Sequence, residues 1–401
     1  MNKKKTFNLL LVAQSLSAFG DNAIYSVIMG ILLVLVKSNQ MTLLEFGVAS
    51  ALYANCLFLP YVLFAPGLGW ISDHFTKRQV LIMANLVKAV GCFVGLAGLV
   101  TGHNLLVISY LIVGLGAAIY SPAKYGIIPE LKTEQELVKA NAAVEMTTIF
   151  SILIGIIGGG LLIDNLGAKA SYIVLCLVYL GAILFNAFMD ESNICHKDEK
   201  LITAVKDFQG SLKDVFANKY LLIPMLGTTI FWFSASFVKL NLQTWGQYVV
   251  KLETATAIAL LALWLSIGII IGSFLAGKKF KTGQVTQSWI FGLGMGLTVL
   301  VMVLRYSNYY LMMAELVILG IFGGLFMIPL NAAIQAKADL RNIGKVIAIQ
   351  NFLENGAMLM SAGFFWYFNK ISLSSIITFI SIGGFLCLIN VLWLRKSLKK
   401  L

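Results

Sequence analysis

The sequence predicts an all-α polytopic membrane protein whose twelve transmembrane helices form two halves of six. Three observations carry that prediction. Apolar stretches of about 18 or more residues, enough to cross a hydrocarbon core of roughly 30 Å, recur near 8–37, 44–71, 79–101, 104–128, 141–164, 171–189, 219–250, 255–276, 286–304, 309–335, 345–368 and 372–394. Hydrophobic side chains make up 59% of the chain and charged ones 12%, with a mean hydropathy of +0.86, far from a soluble composition. Of the 30 Lys and Arg, all but Lys37, Lys88, Lys124, Lys169, Lys239, Lys251, Arg305 and Lys370 fall in the termini, the central linker and alternate loops. The positive-inside rule places those segments, both termini included, in the cytoplasm, which requires an even number of spans.

The first stretch follows Lys3-Lys4-Lys5 and looks like a secretory signal only at its front end. It is about twice the length of a signal's apolar region and lacks a small-x-small cleavage site, so it is taken as the first span. The longest gap, Asp190 to Asn218, is rich in both signs of charge, from His196-Lys-Asp-Glu-Lys200 to Lys213 and Asp214. It divides the chain into an N-terminal half, 1–189, a cytoplasmic linker, 190–218, and a C-terminal half, 219–401. The halves resemble repeats of each other. Gly116-Ala-Ala-Ile-Tyr-Ser-Pro122 in span 4 parallels Gly323-Gly-Leu-Phe-Met-Ile-Pro329 in span 10, and Asn141 to Glu145 in span 5 parallels Gln350 to Glu354 in span 11. Duplicated secondary transporters are built this way, with the substrate site near the bilayer midplane.

Other function classes are poorly supported. The five cysteines are scattered without a CxxC pair, so neither a disulfide framework nor a metal site is expected. The net charge of +12 does not mark a nucleic-acid binder, because basic and aromatic residues never interleave on a soluble segment. Gly272-Ser-Phe-Leu-Ala-Gly277-Lys278-Lys279 mimics a phosphate-binding loop, but Ser or Thr is missing from its last position and it leaves a membrane helix rather than a strand. None of His74, His103 and His196 has an Asp five residues on, so the His-x4-Asp arrangement of glycerolipid acyltransferases is absent. The chain is therefore read as a transporter and not an enzyme, with no cofactor. Without a nucleotide site, the driving force is a substrate gradient, a coupling ion (sodium or a proton), or consumption of the product.

Charge inside the spans points to the site. Asp21, Lys88, Lys124, Glu145, Lys239 and Glu354 lie within apolar stretches, and facing lipid they would together cost roughly 15 to 20 kcal/mol. Most must face an interior. Gln14, Ala18, Asp21 and Tyr25 form one helical stripe, as do Asn141, Glu145 and Thr148; Trp232, Ser236, Lys239 and Gln243; and Gln350, Glu354, Ala357 and Ser361. Asp21, with Asn22 beside it, suits an ammonium or a proton; Lys124 and Lys239 suit a phosphate or carboxylate. Each has a bland alternative. Glu145 and Glu354 also serve as inter-helix hydrogen-bond acceptors, Lys124 as a snorkelling lysine, and Lys88 as a structural residue paired with Asn85 on its own face. Asp164 and Glu315, near span ends, are read as interfacial.

Between spans 2 and 3, Gly69-Trp-Ile-Ser-Asp73-His-Phe-Thr-Lys77-Arg78 resembles the cytoplasmic loop signature of the major facilitator superfamily. His74 and Thr76 stand where that signature more often has a basic residue and a glycine. Its spacing places Asp73 near the start of the next helix and the basic pair in the headgroup layer. More specific blocks extend the resemblance: Ala13-Gln-Ser-Leu-Ser-Ala-Phe-Gly-Asp-Asn-Ala23, Tyr120-Ser-Pro-Ala-Lys-Tyr-Gly-Ile127, Leu137-Val-Lys-Ala-Asn141, Pro329-Leu-Asn-Ala-Ala-Ile-Gln335 and Ala348-Ile-Gln-Asn-Phe-Leu-Glu-Asn-Gly-Ala-Met-Leu359. Over essentially the whole chain these resemble the bacterial lysophospholipid transporter (LplT) family of that superfamily.

The resemblance implies a major facilitator fold with a central cleft between two rocking halves. It implies transport of lysophosphatidylethanolamine and similar lysophospholipids to the inner leaflet of a bacterial inner membrane, where an acyltransferase-synthetase partner re-acylates them. Carried over by position, Asp21, Asn22, Lys124, Lys239 and Glu354 form the headgroup site. The family more often has arginine where Lys239 stands, and a lysine is a point charge rather than a bidentate fork. The alternative from the same fold is a proton-coupled drug or metabolite antiporter with Asp21 as its relay; an intramembrane lipid-modifying enzyme is the alternative from another class. On this reading Asp21→Ala and Lys239→Ala each abolish uptake and leave insertion intact.

Overall fold

The computed structural model describes residues 2–101, 104–191, 200–251, 255–281, 284–304 and 309–399. His103, Arg305, Lys400 and the linker stretch 192–199, with His196 and Lys197, lie outside the described residues. The first five helices are α1 (Lys3–Lys37), α2 (Leu43–Leu63), α3 (Ala65–His74), α4 (Lys77–Thr101) and α5 (Asn104–Gly126). A one-turn α6 (Ile128–Leu131) leads to α7 (Leu137–Ala187), and the linker carries α8 (Leu201–Lys206) and α9 (Phe208–Ala217). Then follow α10 (Lys219–Tyr248), α11 (Ala255–Lys279), α12 (Ser288–Leu304), α13 (Tyr309–Lys337), α14 (Ile343–Lys370), α15 (Ser375–Ile389) and the short α16 (Arg395–Leu398).

Among the described residues ten helices are long and apolar enough to cross a membrane. Two features bring these to twelve spans. Helix α7 runs for 51 residues, about 75 Å at 1.5 Å per residue, far more than a bilayer core. It is two spans, broken at Gly167, whose φ of 73° lies in the left-handed region that favours glycine. Helix α14, long enough to cross, is the twelfth, made less apolar than the others by Gln350, Asn351, Glu354 and Asn355 on its first half. The predicted second span, 44–71, bends at Phe64, where α2 gives way to α3.

Local chemistry explains several starts. The Asn2 side chain caps α1 by accepting from the Lys5 N–H, and Thr42 and Glu45 form a capping box at α2. Thr133 and Glu136 form a second box ahead of α7.

The chain divides into two compact units. Unit 1 comprises Met1–Leu131, Phe150–Ser211 and Asp339–Phe352; unit 2 comprises Lys132–Ile149, Leu212–Ala338 and Leu353–Leu401. Each is close-packed through small residues, as lipid-embedded helices require, since burial against lipid gives no hydrophobic gain. In unit 1, Gly155 and Gly159 of α7 sit on the Phe19 and Ala23 carbonyls of α1. In unit 2, Gly268 and Gly272 of α11 face the backbone of α13, which answers with Gly320 and Gly324. The core of unit 1 around α1 is aromatic, with Tyr53, Tyr110, Tyr172 and Tyr179 buried among Ile24, Val27 and Ile28.

Candidate functional site

Asp21 lies near the middle of α1 and is 8% exposed. Both carboxylate oxygens accept hydrogen bonds: Oδ2 from Lys88 Nζ at 2.7 Å and Oδ1 from the Tyr179 hydroxyl at 2.9 Å. The Tyr110 hydroxyl donates to its backbone carbonyl at 3.3 Å. Lys88, 1% exposed, also donates to Ser17 Oγ at 2.8 Å, and the Ser17 hydroxyl in turn donates to Asn85 Oδ1 at 2.7 Å. The Tyr120 and Tyr179 rings lie 5.2 and 5.9 Å from the ammonium, within the range of a cation–π attraction.

Helical spacing on both sides builds this cluster. Ser17 and Asp21 are one turn apart on α1, and Asn85 and Lys88 one turn apart on α4, so two polar faces meet. The lysine stem crosses α5 at Gly116, where a Cβ would fall 2.5 Å from Lys88 Cγ. The predicted pairing of Lys88 with Asn85 is thereby corrected: the ammonium takes the carboxylate, and Asn85 is reached only through Ser17. A buried ammonium without an opposite charge costs several kcal/mol, and Asp21 supplies that charge.

The other predicted residues of unit 1 are placed differently. Asn22 turns its amide onto its own helix, donating to the Ala18 carbonyl at 2.8 Å. Lys124 is half-buried, with Nζ 4.2 Å above the Tyr125 ring. Gln14 is buried, and Tyr25 tilts against Tyr110 with centroids 5.9 Å apart.

In unit 2, Glu145 and Glu354 are buried, 6% and 8% exposed. Beside Glu145 on α7, Asn141 forms a reciprocal amide pair with Gln335 of α13, at 2.6 and 3.1 Å. Lys239 is different, being exposed and without an ion pair among the described residues. On α10 the predicted stripe is the open face: Trp232 and Ser236 are half-buried, Lys239 and Gln243 exposed. The other face, Ser234, Val238, Asn241 and Trp245, is buried, and Asn241 is bonded to Ser375 of α15. Glu315, read as interfacial, is buried within α13 at 8% exposure.

The loop residues act at an unexpected helix. Asp73, 4% exposed, accepts from the Gly344 N–H at 2.6 Å and the Lys345 N–H at 2.8 Å, and so caps the start of α14 rather than that of α4. Gly69 permits the approach, since a Cβ there would stand 2.8 Å from Lys345 Cα. Lys77 is 1% exposed. It donates to Asp73 Oδ1 at 3.2 Å, to Ser72 Oγ and to the Ser72 carbonyl. Burial pushes the Asp73 carboxyl above the ordinary carboxylate range, against the downward pull of Lys77 and the two N–H groups. Arg78 is half-buried. His74 stacks on Trp70 at 4.4 Å, and Thr76 donates to Glu191 at 2.7 Å.

The Major Facilitator Superfamily model matches residues 10–362. The lysophospholipid transporter LplT of Photorhabdus laumondii is 33% identical over 400 residues, covering 98% of this chain and 96% of that protein. LplT of Escherichia coli O1:K1 is 30% identical over 397 residues, covering 97% and 96%. Among solved structures, the human organic anion transporter MFSD10 superposes with a TM-score of 0.78 at 13% identity, covering 99% of this chain and 100% of that one. A bacterial homologue of the iron transporter ferroportin, in its outward-facing state, gives 0.73 at 17% identity with 98% of each chain covered. At such identities the structures speak for the fold alone.

Proposed function

We propose that this chain, which belongs to the major facilitator superfamily and within it to the LplT family, is a secondary transporter of lysophospholipids. The cargo class is 2-acyl-glycerophosphoethanolamine and lipids like it, moved to the cytoplasmic leaflet of a bacterial inner membrane with both termini in the cytoplasm. The observation that carries the reading is likeness to named lysophospholipid transporters along nearly the entire chain. The buried carboxylate in α1 is consistent with it. Charged groups this deep are retained where they serve a path or a substrate.

The roles follow from charge. Asp21 receives the headgroup ammonium or a coupling cation, sodium or a proton. Lys124 and Lys239 hold the phosphate as point charges, and Asn22, Glu145 and Glu354 supply neutral and acidic partners to the rest of the headgroup. The acyl chain stays in apolar surroundings. Asp73, with Gly69, Lys77 and Arg78, governs whether the start of α14 is held, which suits a contact made in one transport state and broken in another. A partner acyltransferase-synthetase that consumes the product draws transport inward, and the chain itself does no covalent chemistry. The test is flux of labelled lysophosphatidylethanolamine into proteoliposomes, with and without a sodium or proton gradient. Protein-dependent flux is expected; its absence under every gradient overturns the reading.

A further inference from the structure

We infer that Lys88 is a tethered stand-in for the substrate's ammonium: it fills the cage formed by Asp21, Ser17, Tyr120 and Tyr179, and a lipid ammonium enters that cage only by displacing it. This rests on the reading that Asp21 receives the headgroup cation.

The cage has what a primary ammonium needs. It offers a carboxylate oxygen at 2.7 Å, a hydroxyl oxygen at 2.8 Å and two aromatic faces at 5.2 and 5.9 Å. Three N–H donors and one positive charge are satisfied by such a set. Lysine and ethanolamine end in the same chemical group, so surroundings that hold one also suit the other. With Lys88 in place Asp21 is neutralised, and both its oxygens already accept hydrogen bonds. A second cation therefore gains little from the carboxylate until the first has left.

A second observation marks the place as a binding site rather than a closed structural pair. Asn85 is fully buried, its Oδ1 accepts from Ser17, and its Nδ2 has no hydrogen-bond partner among the described residues. A buried donor left unmade is costly, and an oxygen-rich ligand reaching the cage would satisfy it. A lysophospholipid headgroup carries both the ammonium and such oxygens. The stem of Lys88 lies across Gly116, where no side chain blocks it, so the ammonium is held by its partners at the tip and not by an overlying side chain at that position.

The inference separates two substrates that a structural pair treats alike. Lysophosphatidylethanolamine has an ammonium and competes with Lys88; lysophosphatidylglycerol has none and does not. In Lys88→Gln no tethered ammonium competes for Asp21, so KM for lysophosphatidylethanolamine falls by about tenfold or more, since the fraction of protein with a free site no longer limits apparent affinity. KM for lysophosphatidylglycerol, an anion that then meets an uncompensated Asp21 carboxylate, does not fall, and Lys88→Arg, which keeps the plug, retains the wild-type order of preference. Both are measured as proteoliposome flux at lipid concentrations below micelle formation. Equal shifts for the two lipids, or no shift for either, overturn the inference.

Should Lys88→Gln fail to insert, Asp21→Asn/Lys88→Gln removes the charge pair altogether. Insertion with loss of lysophosphatidylethanolamine flux is then expected, and insertion with full flux overturns it. Absence of wild-type flux would strike the functional reading itself, whereas wild-type flux with an indifferent Lys88→Gln strikes only the role of Lys88.

Discussion

Unit 1 holds two buried aspartate–lysine pairs, and they differ in what else the carboxylate holds. Asp21 and Lys88 come from helices far apart in sequence and meet at 2.7 Å, with the remaining oxygen given to a tyrosine hydroxyl. Asp73 and Lys77 lie four residues apart across the break between α3 and α4 and meet at 3.2 Å, and both oxygens of Asp73 also serve the backbone of α14. The first carboxylate is held by side chains alone. The second is a bracket on another helix's first turn, which any movement of that helix would release. A buried ion pair is weak evidence for stability as such; its role is read from the bonds left over after the pair is made.

The widest gap between the two comes from deleting the acid. Asp21→Ala strands a fully buried ammonium, and a loss of about 3 to 5 kcal/mol is expected, seen as a lower Tm and poorer yield, with Asp21→Ala/Lys88→Met recovering most of it. Failure of the double variant to recover would mean the pair is not what holds the cluster. Next, Gly69→Ala sets a methyl group against Lys345 Cα and should cost about 1 to 3 kcal/mol as overpacking, measured as a Tm shift that leaves the Asp21 cluster untouched.

A subtler contrast is pH. The folded Asp73 carboxyl sits above its unfolded value, so its contribution is complete below the ordinary carboxylate range and is lost as pH rises through the raised value. Wild type should therefore lose stability relative to Asp73→Asn over that window, and parallel Tm-against-pH curves would refute the assignment. The smallest stability change is expected at Lys239, exposed and without an ion pair among the described residues. Lys239→Ala should shift stability by no more than about 0.5 kcal/mol and yet abolish lysolipid uptake. Unchanged uptake would remove Lys239 from the site.

The fold was legible because length and apolarity are properties of single stretches. All twelve spans were visible, including α14, whose polar residues interrupt but do not shorten its apolar run. Helices α8 and α9 were not foreseen, being short and set in a charged linker. Within the site, the price of an ion in hydrocarbon singled out Asp21 and Lys88 separately. Their pairing was not legible, because helical periodicity relates residues on one helix and is silent on which helix lies opposite. A signal was present in the matched polar turns Ser17–Asp21 and Asn85–Lys88. For the same reason loop spacing set Asp73 at the neighbouring helix, although its bonds go to Gly344 and Lys345. The expectation that Asp21→Ala leaves insertion intact also changes, since only the fold reveals the lysine that would be stranded.

Joined, Asp21 and Lys88 bear no net charge, so membrane voltage does no work on them as a unit. A lone elementary charge carried across 100 mV would exchange about 2.3 kcal/mol with the field. A zwitterionic lipid exchanging places with the Lys88 ammonium keeps the moving parts electrically silent. Any current recorded during its uptake then belongs to a co-transported ion.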